Sequence, residues 1–490
     1  MWVTSSDRSI SPLSTTDIPR PDTGATPTAR PSRRRPGTSL GGLALRLHFY
    51  AGLFVAPFIL IAALTGALYA IAPTVESVLN HDLLHVDSTG PARPLADQIT
   101  AATATQPRLV LAAVDPAQHP GDTTRVLFTD PSLGESEQRA VFVDPATARP
   151  VGTSVVYGST GALPLRTWID QLHRNLHLGE FGRLYSELAA SWLWIVALAG
   201  LVLWLRRARG LRLLWPDRSG SSRGRTRNWH ATVGVWVLLP ALFLSATGMT
   251  WSTYAGAHVD QLRQDLSWTT PAVNTKLTFG PASGGTAGEH AQHTGHGAAQ
   301  PLPSTPERAA QIEAVVATAR GAGLSGPLEV TVPAESGVAY VAKERRLSYV
   351  WTQDSVAVDG ATGTVTDRLR FEDWPLMARL SSWGIQLHMG MLFGPANQLL
   401  LLVTMIALVT VIGRGYLLWW RRRPTGAFTG GRAPRRGQLR RTPPILAVPV
   451  VVTAAVVGWF VPLVGISLLV FLVVDVTIGL LSRRTPDIAG

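Results

Sequence analysis

The sequence contains no cysteine. This absence excludes disulfide bonds, cysteine-ligated iron–sulfur clusters, thiolate haem ligands and cysteine nucleophiles. Charged residues are also scarce, because they make up 16% of the 490 residues whereas hydrophobic residues make up 46%. A composition of this kind favours a membrane protein, so lipid is the first partner to expect.

The excess of positive charge, +12 overall, comes from arginines that cluster beside apolar runs. Arginine-rich loops beside membrane spans are typical of the cytoplasmic side of a membrane. No basic stripe is interleaved with base-stacking aromatic residues, so the sequence argues against nucleic acid as a partner.

Long apolar runs alternate with polar regions in a pattern that occurs twice, which predicts an internal duplication. The predicted fold class is an all-α polytopic membrane protein of about six transmembrane helices, with two small α+β extracytoplasmic domains. Because arginine is dense only in alternate loops, we expect a multi-pass protein of the cytoplasmic membrane with both termini cytoplasmic. The predicted segments are a disordered cytoplasmic N-terminus (1–40), TM1 (43–72), a first extracytoplasmic domain (73–165), TM2 (186–206), a cytoplasmic loop (207–228), TM3 (230–254), a second extracytoplasmic domain with a His/Gly linker (255–383), TM4 (396–420), a cytoplasmic loop (421–443), TM5 (445–460) and TM6 (463–481).

Histidines mark the ends of four predicted spans. His48 and His230 open the first and third spans on the arginine-rich side. His173, His177 and His388 precede the second and fourth spans on the opposite side. A neutral imidazole is a natural axial ligand of haem iron, so histidines from two helices at one depth predict a b-type haem, and two such levels predict two haems. The alternative is that each histidine is an interfacial residue with its polar tip in the headgroups, and that no haem is bound.

The spacing of the outer histidines imposes a geometric constraint. His177 lies 29 residues before Arg206, which is about 44 Å of continuous helix. The hydrocarbon core of a bilayer is only about 30 Å thick. The outer histidines are therefore expected at or beyond the membrane interface, unless tilt or a helix break near Gly179 and Gly390 shortens the distance.

Two further features are candidate sites. His290, His293 and His296 lie at a spacing of three in a Gly/Ala-rich linker, where they either bind a transition metal loosely or are incidental to a flexible segment. Asp475 lies within the last apolar run. Carboxylates inside a membrane are functional candidates, and the alternative here is a solvated or arginine-paired residue.

Several segments resemble the PepSY-associated transmembrane family, in its PiuB-like group of iron-regulated membrane proteins. The two outer regions resemble PepSY domains, since Asp144 and Asp359 each follow a strand-like stretch and open a turn that contains threonine. The resemblance covers about residues 40 to 425, and the run from Ile445 onward looks like the extra C-terminal hairpin of some members. The segments that carry the resemblance are LHRNLHLGEFGRLYSELAASWLW, RNWHATVGVW, LHMGMLFG and LLWWRRRP.

This resemblance implies a role in iron or siderophore handling, and some members of the family resemble dihaem ferric-siderophore reductases. His48, His173, His230 and His388 match the recurring histidines of the family, whereas His177 belongs to the narrower PiuB-like pattern. The choice between His173 and His177 as the ligand therefore stays open.

The expected function is that of an integral membrane b-haem electron-transfer protein, which reduces ferric iron or a ferric siderophore on the outer face of the cytoplasmic membrane. The basic loops contain no glycine-rich nucleotide fingerprint, so a quinol or a redox partner protein is expected as the electron donor. In one alternative, the PepSY-like domains bind a peptide or regulate a peptidase while the spans anchor them. In the other, the histidine pairs are metal sites of an iron or copper transporter.

Overall fold

The computed structural model describes residues 39–207, 214–217, 219, 221–277, 303–422, 434, 436–439 and 442–484. The linker histidines His290, His293 and His296 lie outside these described residues, and so does nearly all of the segment predicted as a disordered N-terminus.

The two sequence halves contain the same succession of elements. The helices of the first half are α1 (Ser39–Phe54), α2 (Ala56–Leu79), α3 (His81–Leu84), α4 (Leu95–Thr105), α5 (Pro164–Asn175) and α6 (Gly179–Leu205). Those of the second half are α7 (Ser222–Trp236), α8 (Leu238–Met249), α9 (Tyr254–Asp265), α10 (Thr305–Gly321), α11 (Leu376–His388) and α12 (Pro395–Trp420). A final hairpin consists of α13 (Pro444–Phe460) and α14 (Pro462–Arg484). The strands are β1 (Val110–Asp115), β2 (Thr124–Thr129), β3 (Glu137–Asp144), β4 (Arg149–Tyr157), β5 (Leu328–Thr331), β6 (Tyr340–Glu344), β7 (Ser355–Val358) and β8 (Val365–Leu369).

All eight of these strands form one antiparallel sheet in the order β4-β3-β2-β1-β5-β6-β7-β8. The predicted fold class, an all-α membrane protein with two small separate α+β domains, is therefore wrong. The halves meet where β1 pairs with β5, with Val114 opposite Val330, and this pairing satisfies backbone groups that two separate sheets would expose at their edges. A buried ion pair of 3.0 Å between Asp115 and Arg345 joins the halves at the same seam.

The core of this sheet domain also combines both halves. Phe128 and Val141 of the first half are fully buried, as is Val330 of the second. They belong to one apolar cluster with Ile99 of α4 and Ile312 of α10, so a helix from each half covers the sheet. Consecutive residues of β3 and β7 are buried, because a second apolar cluster that includes Phe142 and Leu163 covers the opposite face of the sheet.

Four helices within the described residues are long and apolar enough to cross a membrane: α2, α6, α12 and α14. The number rises to five if α7 and α8, which are bent by 55°, together form one span. The prediction of about six transmembrane helices is therefore wrong. Helix α13 has 17 residues, which is about 26 Å of helix and shorter than a bilayer core of about 30 Å.

Prolines account for the two breaks in the predicted first and third spans. A proline inside a helix removes a hydrogen bond to the carbonyl four residues earlier and clashes with it. Pro57 interrupts the run between α1 and α2, and the carbonyl of Leu53 accepts a hydrogen bond of 2.9 Å from the Tyr416 hydroxyl instead. Pro240 lies in the first turn of α8, next to the bend that separates it from α7.

Two left-handed turns fold the histidine-bearing helices α5 and α11 back toward the helices that follow them. Leu176 and His177 have φ of 53° and 55°, and Gly179 has φ of 58°, so the chain reverses between α5 and α6. Gly390, with φ of 74°, lies in the turn between α11 and α12. These breaks remove the continuous helix of about 44 Å that the constraint on the outer histidines assumed.

Candidate functional site

The first histidine pair consists of His48 on α1 and His230 on α7, whose ring centroids lie 6.0 Å apart. Nδ1 of His48 lies 3.0 Å from the carbonyl oxygen of Val196 on α6. Nδ1 of His230 lies 2.9 Å from the carbonyl oxygen of Val411 on α12. Because a carbonyl oxygen only accepts, each Nδ1 donates its proton, and each Nε2 keeps a free lone pair.

The second pair consists of His173 on α5 and His388 on α11, whose ring centroids lie 6.5 Å apart. Nδ1 of His173 lies 2.9 Å from the Thr65 hydroxyl, and Nδ1 of His388 lies 2.6 Å from the Thr247 hydroxyl.

The threonine hydroxyls determine which ring nitrogen of these two histidines carries the proton. Thr65 donates to the carbonyl of Ile61 at 2.9 Å, and Thr247 donates to the carbonyl of Phe243 at 2.8 Å. A hydroxyl has one proton to donate, so each threonine accepts from the Nδ1–H of its histidine. All four histidines thus have a partner for an Nδ1–H, and in that tautomer each Nε2 is available to a metal.

The separations between the rings fit one axially ligated metal in each pair. A bond between a first-row metal and an imidazole nitrogen is about 2 Å long, and the ring centroid lies about 1 Å behind that nitrogen. Two histidines on opposite sides of one metal therefore have centroids roughly 6 Å apart, compared with 6.0 and 6.5 Å in the two pairs.

A glycine lies beside each histidine ring and keeps the adjacent space free of a side chain. A Cβ built on Gly200 or on Gly66 would lie 3.1 Å from Cε1 of His48 or His173, respectively. The corresponding distances are 3.5 Å from Gly415 to His230 and 4.0 Å from Gly248 to His388. A flat cofactor between the paired rings needs such cleared space on neighbouring helices.

The threonines, carbonyls and glycines repeat between the halves, and the sequence predictions did not include them. Thr65-Gly66 in α2 corresponds to Thr247-Gly248 in α8, and both dipeptides hold an outer histidine. Gly200 follows Val196 by four residues, as Gly415 follows Val411. A repeated Thr-Gly dipeptide inside equivalent apolar runs was the sequence signal that could have identified the first set.

The two pairs lie at different depths along the helix bundle. On α6, the Ser186 hydroxyl donates to the backbone carbonyl of His173, and the Val196 carbonyl contacts Nδ1 of His48. The separation of Ser186 and Val196 along α6 therefore gives the separation of the two pairs along the bundle. These two α6 residues are ten positions apart, which is about 15 Å along the helix axis. The turn after α5, which includes Gly179, buries His173 among the helices, and this is the helix break near Gly179 that the geometric constraint allowed for.

A cavity of about 410 Å³ adjoins the second pair. Its apolar part includes Leu193, and its polar part includes Asp170, Arg174, Arg183 and Arg346. Burial raises the pKa of Asp170, although nearby arginines oppose the shift, so this carboxyl group holds its negative charge less readily than an exposed aspartate. The lining also includes the carboxyl group of Glu187, which accepts hydrogen bonds from the backbone N–H groups of Thr253, Tyr254 and Ala255. The three arginines outnumber the two carboxyl groups, which suits ligands that carry carboxylates.

The family model described as "PepSY-associated TM region" matches residues 45–422, which is more than half of the chain. The chain belongs to the PepSY-associated TM family. A comparison with curated proteins found no match. The matched residues include both histidine pairs and exclude the C-terminal hairpin of α13 and α14.

In this PepSY-associated TM protein, His177 does not join a pair. Its ring stacks on Trp168 with centroids 4.9 Å apart, and its Nε2 lies 3.0 Å from the Trp168 carbonyl oxygen. The structure thus brings His173, and not His177, next to His388.

The remaining candidates have other surroundings. Asp475 contacts two arginines, Arg46 at 2.5 Å and Arg436 at 3.3 Å. Of the two readings of this carboxylate, the structure therefore has the arginine-paired one.

Within the part of the chain that the structure describes, no group of three or more His, Cys, Asp or Glu residues is arranged to hold a metal ion.

Proposed function

We propose that this protein is an integral membrane electron-transfer protein with two b-type haems, one between His48 and His230 and one between His173 and His388. The observation that carries the proposal is the two matched histidine pairs, whose ring centroids lie 6.0 and 6.5 Å apart and whose four Nδ1 atoms each contact a second group. Bound haem iron supplies reversible one-electron chemistry between the ferric and ferrous states.

The surrounding residues support this assignment. The four Nδ1 contacts hold each imidazole in the ligating tautomer and in one orientation. Arg174, Arg183 and Arg346 line the cavity beside the His173–His388 pair, and they would pair with the carboxylates of a bound haem.

The proposed direction of electron transfer follows from the distribution of arginine. The basic segments 206–227 and 421–441 support a cytoplasmic position for the His48–His230 end. In this proposal both termini are cytoplasmic, and the sheet domain lies outside the cytoplasmic membrane. A quinol or a redox partner protein would supply electrons, and ferric iron or a ferric siderophore would accept them near the His173–His388 pair. The rate of electron tunnelling falls steeply with distance. The two pairs are only about 15 Å apart along the helix axis, and this short separation supports electron transfer from one haem to the other.

A reduced-minus-oxidised absorption spectrum of the protein purified after haem-replete expression tests this proposal. We expect the sharp α band of low-spin bis-histidine haem and two haems per chain by pyridine haemochrome assay. A protein that carries no haem contradicts the proposal, and it leaves the peptide-binding or peptidase-regulating role and the iron or copper transporter as the candidates.

A second prediction concerns the threonines that hold the outer histidines. Thr65→Val and Thr247→Val remove one hydroxyl each and nearly preserve the volume, so Nδ1 of His173 or His388 loses its acceptor. Losing such a partner typically weakens metal binding about 10- to 100-fold. We expect faster loss of one haem on transfer to apo-myoglobin, measured from the absorption spectrum.

Thr404→Val is the matched control for these variants, because the buried Thr404 hydroxyl donates only to the carbonyl of Leu400 on the same helix. It should retain both haems at the wild-type rate. Equal haem loss from Thr404→Val would show that the threonines act through helix packing and not through the histidines.

A further inference from the structure

Two histidines outside both haem-ligand pairs lie one helical turn apart on α3, the short helix that follows α2. His81 is the first residue of α3, and His85 directly follows its last residue. The backbone N–H of His85 donates to the His81 carbonyl at 2.7 Å, so the helical turn between them is closed. Residues four apart on a helical turn lie on the same side of it, and the same spacing of two histidines binds zinc in metalloproteases.

The distance between these two rings fits adjacent ligands of one metal ion. With about 2 Å from metal to nitrogen and about 1 Å from nitrogen to ring centroid, each centroid lies about 3 Å from the metal. Two centroids at the tetrahedral angle are then about 5 Å apart, compared with about 6 Å for ligands on opposite sides of the metal. The ring centroids of His81 and His85 lie 5.0 Å apart, which is the separation for a tetrahedral ion.

Carboxylates contact the ring nitrogens of the His81–His85 pair that face away from a metal bound at Nε2. Oδ1 of Asp122, in the loop between β1 and β2, lies 3.2 Å from Nδ1 of His85, and its Oδ2 lies 3.2 Å from Nδ1 of His119. Oδ1 of Asp82 lies 3.6 Å from Nδ1 of His81. A carboxylate accepts from Nδ1–H and so favours the tautomer in which Nε2 can bind a metal, and its negative charge offsets that of a cation.

The backbone beside His85 is held against the sheet domain, whereas the rings stay open to solvent. The Val86 N–H donates to the Gly121 carbonyl at 2.8 Å, and the Thr123 N–H donates to the Leu84 carbonyl at 3.0 Å. The side chains of His81 and His85 are 65% and 43% exposed. An ion can therefore reach a position that is fixed at the junction between α2 and the sheet domain.

We propose that His81 and His85 form a site for a divalent transition-metal ion of the zinc class, with Asp122 as a positioning residue. Imidazole ligands suit zinc, copper and nickel. Among the described residues, no group of three or more His, Asp or Glu is arranged to hold a metal, so water completes the coordination. The site lies outside both haem-ligand pairs, and the inference does not rest on the proposed function.

Zinc titration of the purified full-length protein, prepared without a polyhistidine tag, tests this assignment. The parent for all variants carries His290→Ala, His293→Ala and His296→Ala, so that the linker histidines contribute no zinc binding. We expect the parent to have one zinc site that is lost in His81→Ala and in His85→Ala. Asp122→Asn should keep this site but weaken it about 10-fold, the lower end of the range for a group that orients a ligand.

Thermal unfolding in detergent provides a second measurement on the same proteins. A ligand that binds only the folded state stabilises it, so zinc should raise the thermal midpoint of the parent. The same zinc concentration should leave the midpoint of His81→Ala unchanged. Midpoints measured without zinc check that the variants are folded.

His119→Ala is the matched control, because His119 contacts the same carboxylate but lies outside the pair, and it should keep the wild-type zinc affinity. Absence of a zinc site in the parent, retention of the site in His81→Ala, or an equal loss in His119→Ala would overturn the inference. If His85→Ala does not accumulate in the membrane, His81→Ala decides the assignment. A protein that binds this zinc ion but no haem would contradict the proposed function and support the inference.

Discussion

His388→Ala should contain one haem per chain after haem-replete expression, compared with two in the wild type. The substitution removes one of the two Nε2 ligands of the second pair, whose ring centroids are 6.5 Å apart, and leaves the first pair unchanged. His173→Ala should lose the same haem. The measurement is haem per protein together with the reduced spectrum of each variant.

The pairing itself is tested by combining substitutions. His48→Ala and His230→Ala should each remove the other haem, and the double variant should lose no more than either single variant, because both residues ligate one iron. Combining His48→Ala with His388→Ala should remove both haems.

His177→Ala is the matched control, since its ring stacks on Trp168 outside both pairs, and it should retain two haems. Loss of the second haem in His177→Ala with retention in His173→Ala would reverse the assignment of the outer ligand. Additive loss in the His48 and His230 variants would contradict the pairing while leaving a haem protein.

Gly182→Ala should remove the haem at the His173–His388 pair while the other haem remains. A Cβ on Gly182 would clash with the backbone carbonyl oxygen of Asn175, the last residue of α5. Backbone cannot rotate away as a side chain does, so the turn that folds α5 against α6 must open. Overpacking typically costs about 1–3 kcal/mol, and a clash with backbone belongs at or above the upper end of this range.

The matched control for this variant is Gly413→Ala on α12, another glycine within a long apolar helix. Among the described residues, no atom outside the local backbone of α12 lies within 4 Å of a Cβ built there. Alanine also favours a helix over glycine by about 1 kcal/mol. Gly413→Ala should therefore keep both haems and a thermal midpoint at or above that of the wild type in detergent. Retention of both haems in Gly182→Ala would show that the position of His173 does not depend on the close contact between α5 and α6.

Local features of the sequence were sufficient to predict that the protein is a membrane protein and to which family it belongs. Apolar runs, low charge and the distribution of arginine depend only on composition and on neighbouring residues. They can therefore be recognised from the sequence without a structure. Histidines at equivalent positions of two halves also indicated the symmetric pairs, because duplicated segments of similar sequence tend to fold alike.

The sheet could not be predicted from such local features. The β1 strand ends at Asp115 and β5 begins at Leu328, so the pairing that merges the two outer domains joins segments more than 200 residues apart. Short strands of similar pattern pair equally well within one small domain or across two. Only the packed structure shows that both edges meet, with Asp115 and Arg345 buried across the seam.

By itself, the sequence determined a polytopic membrane protein of the PepSY-associated TM family with histidines at the ends of duplicated apolar segments. Tertiary structure alone decided which outer histidine faces His388, since this depends on the left-handed turn at Leu176 that folds α5 back and leaves His177 on Trp168. It also decided which groups contact the four Nδ1 atoms, because Thr65, Thr247 and the carbonyls of Val196 and Val411 belong to helices distant in sequence from the histidines that they hold. The hydrophobic pattern and the distribution of charge are set by residues that are neighbours along the chain. The orientation of a histidine ring depends instead on atoms that come into contact only when the helices pack.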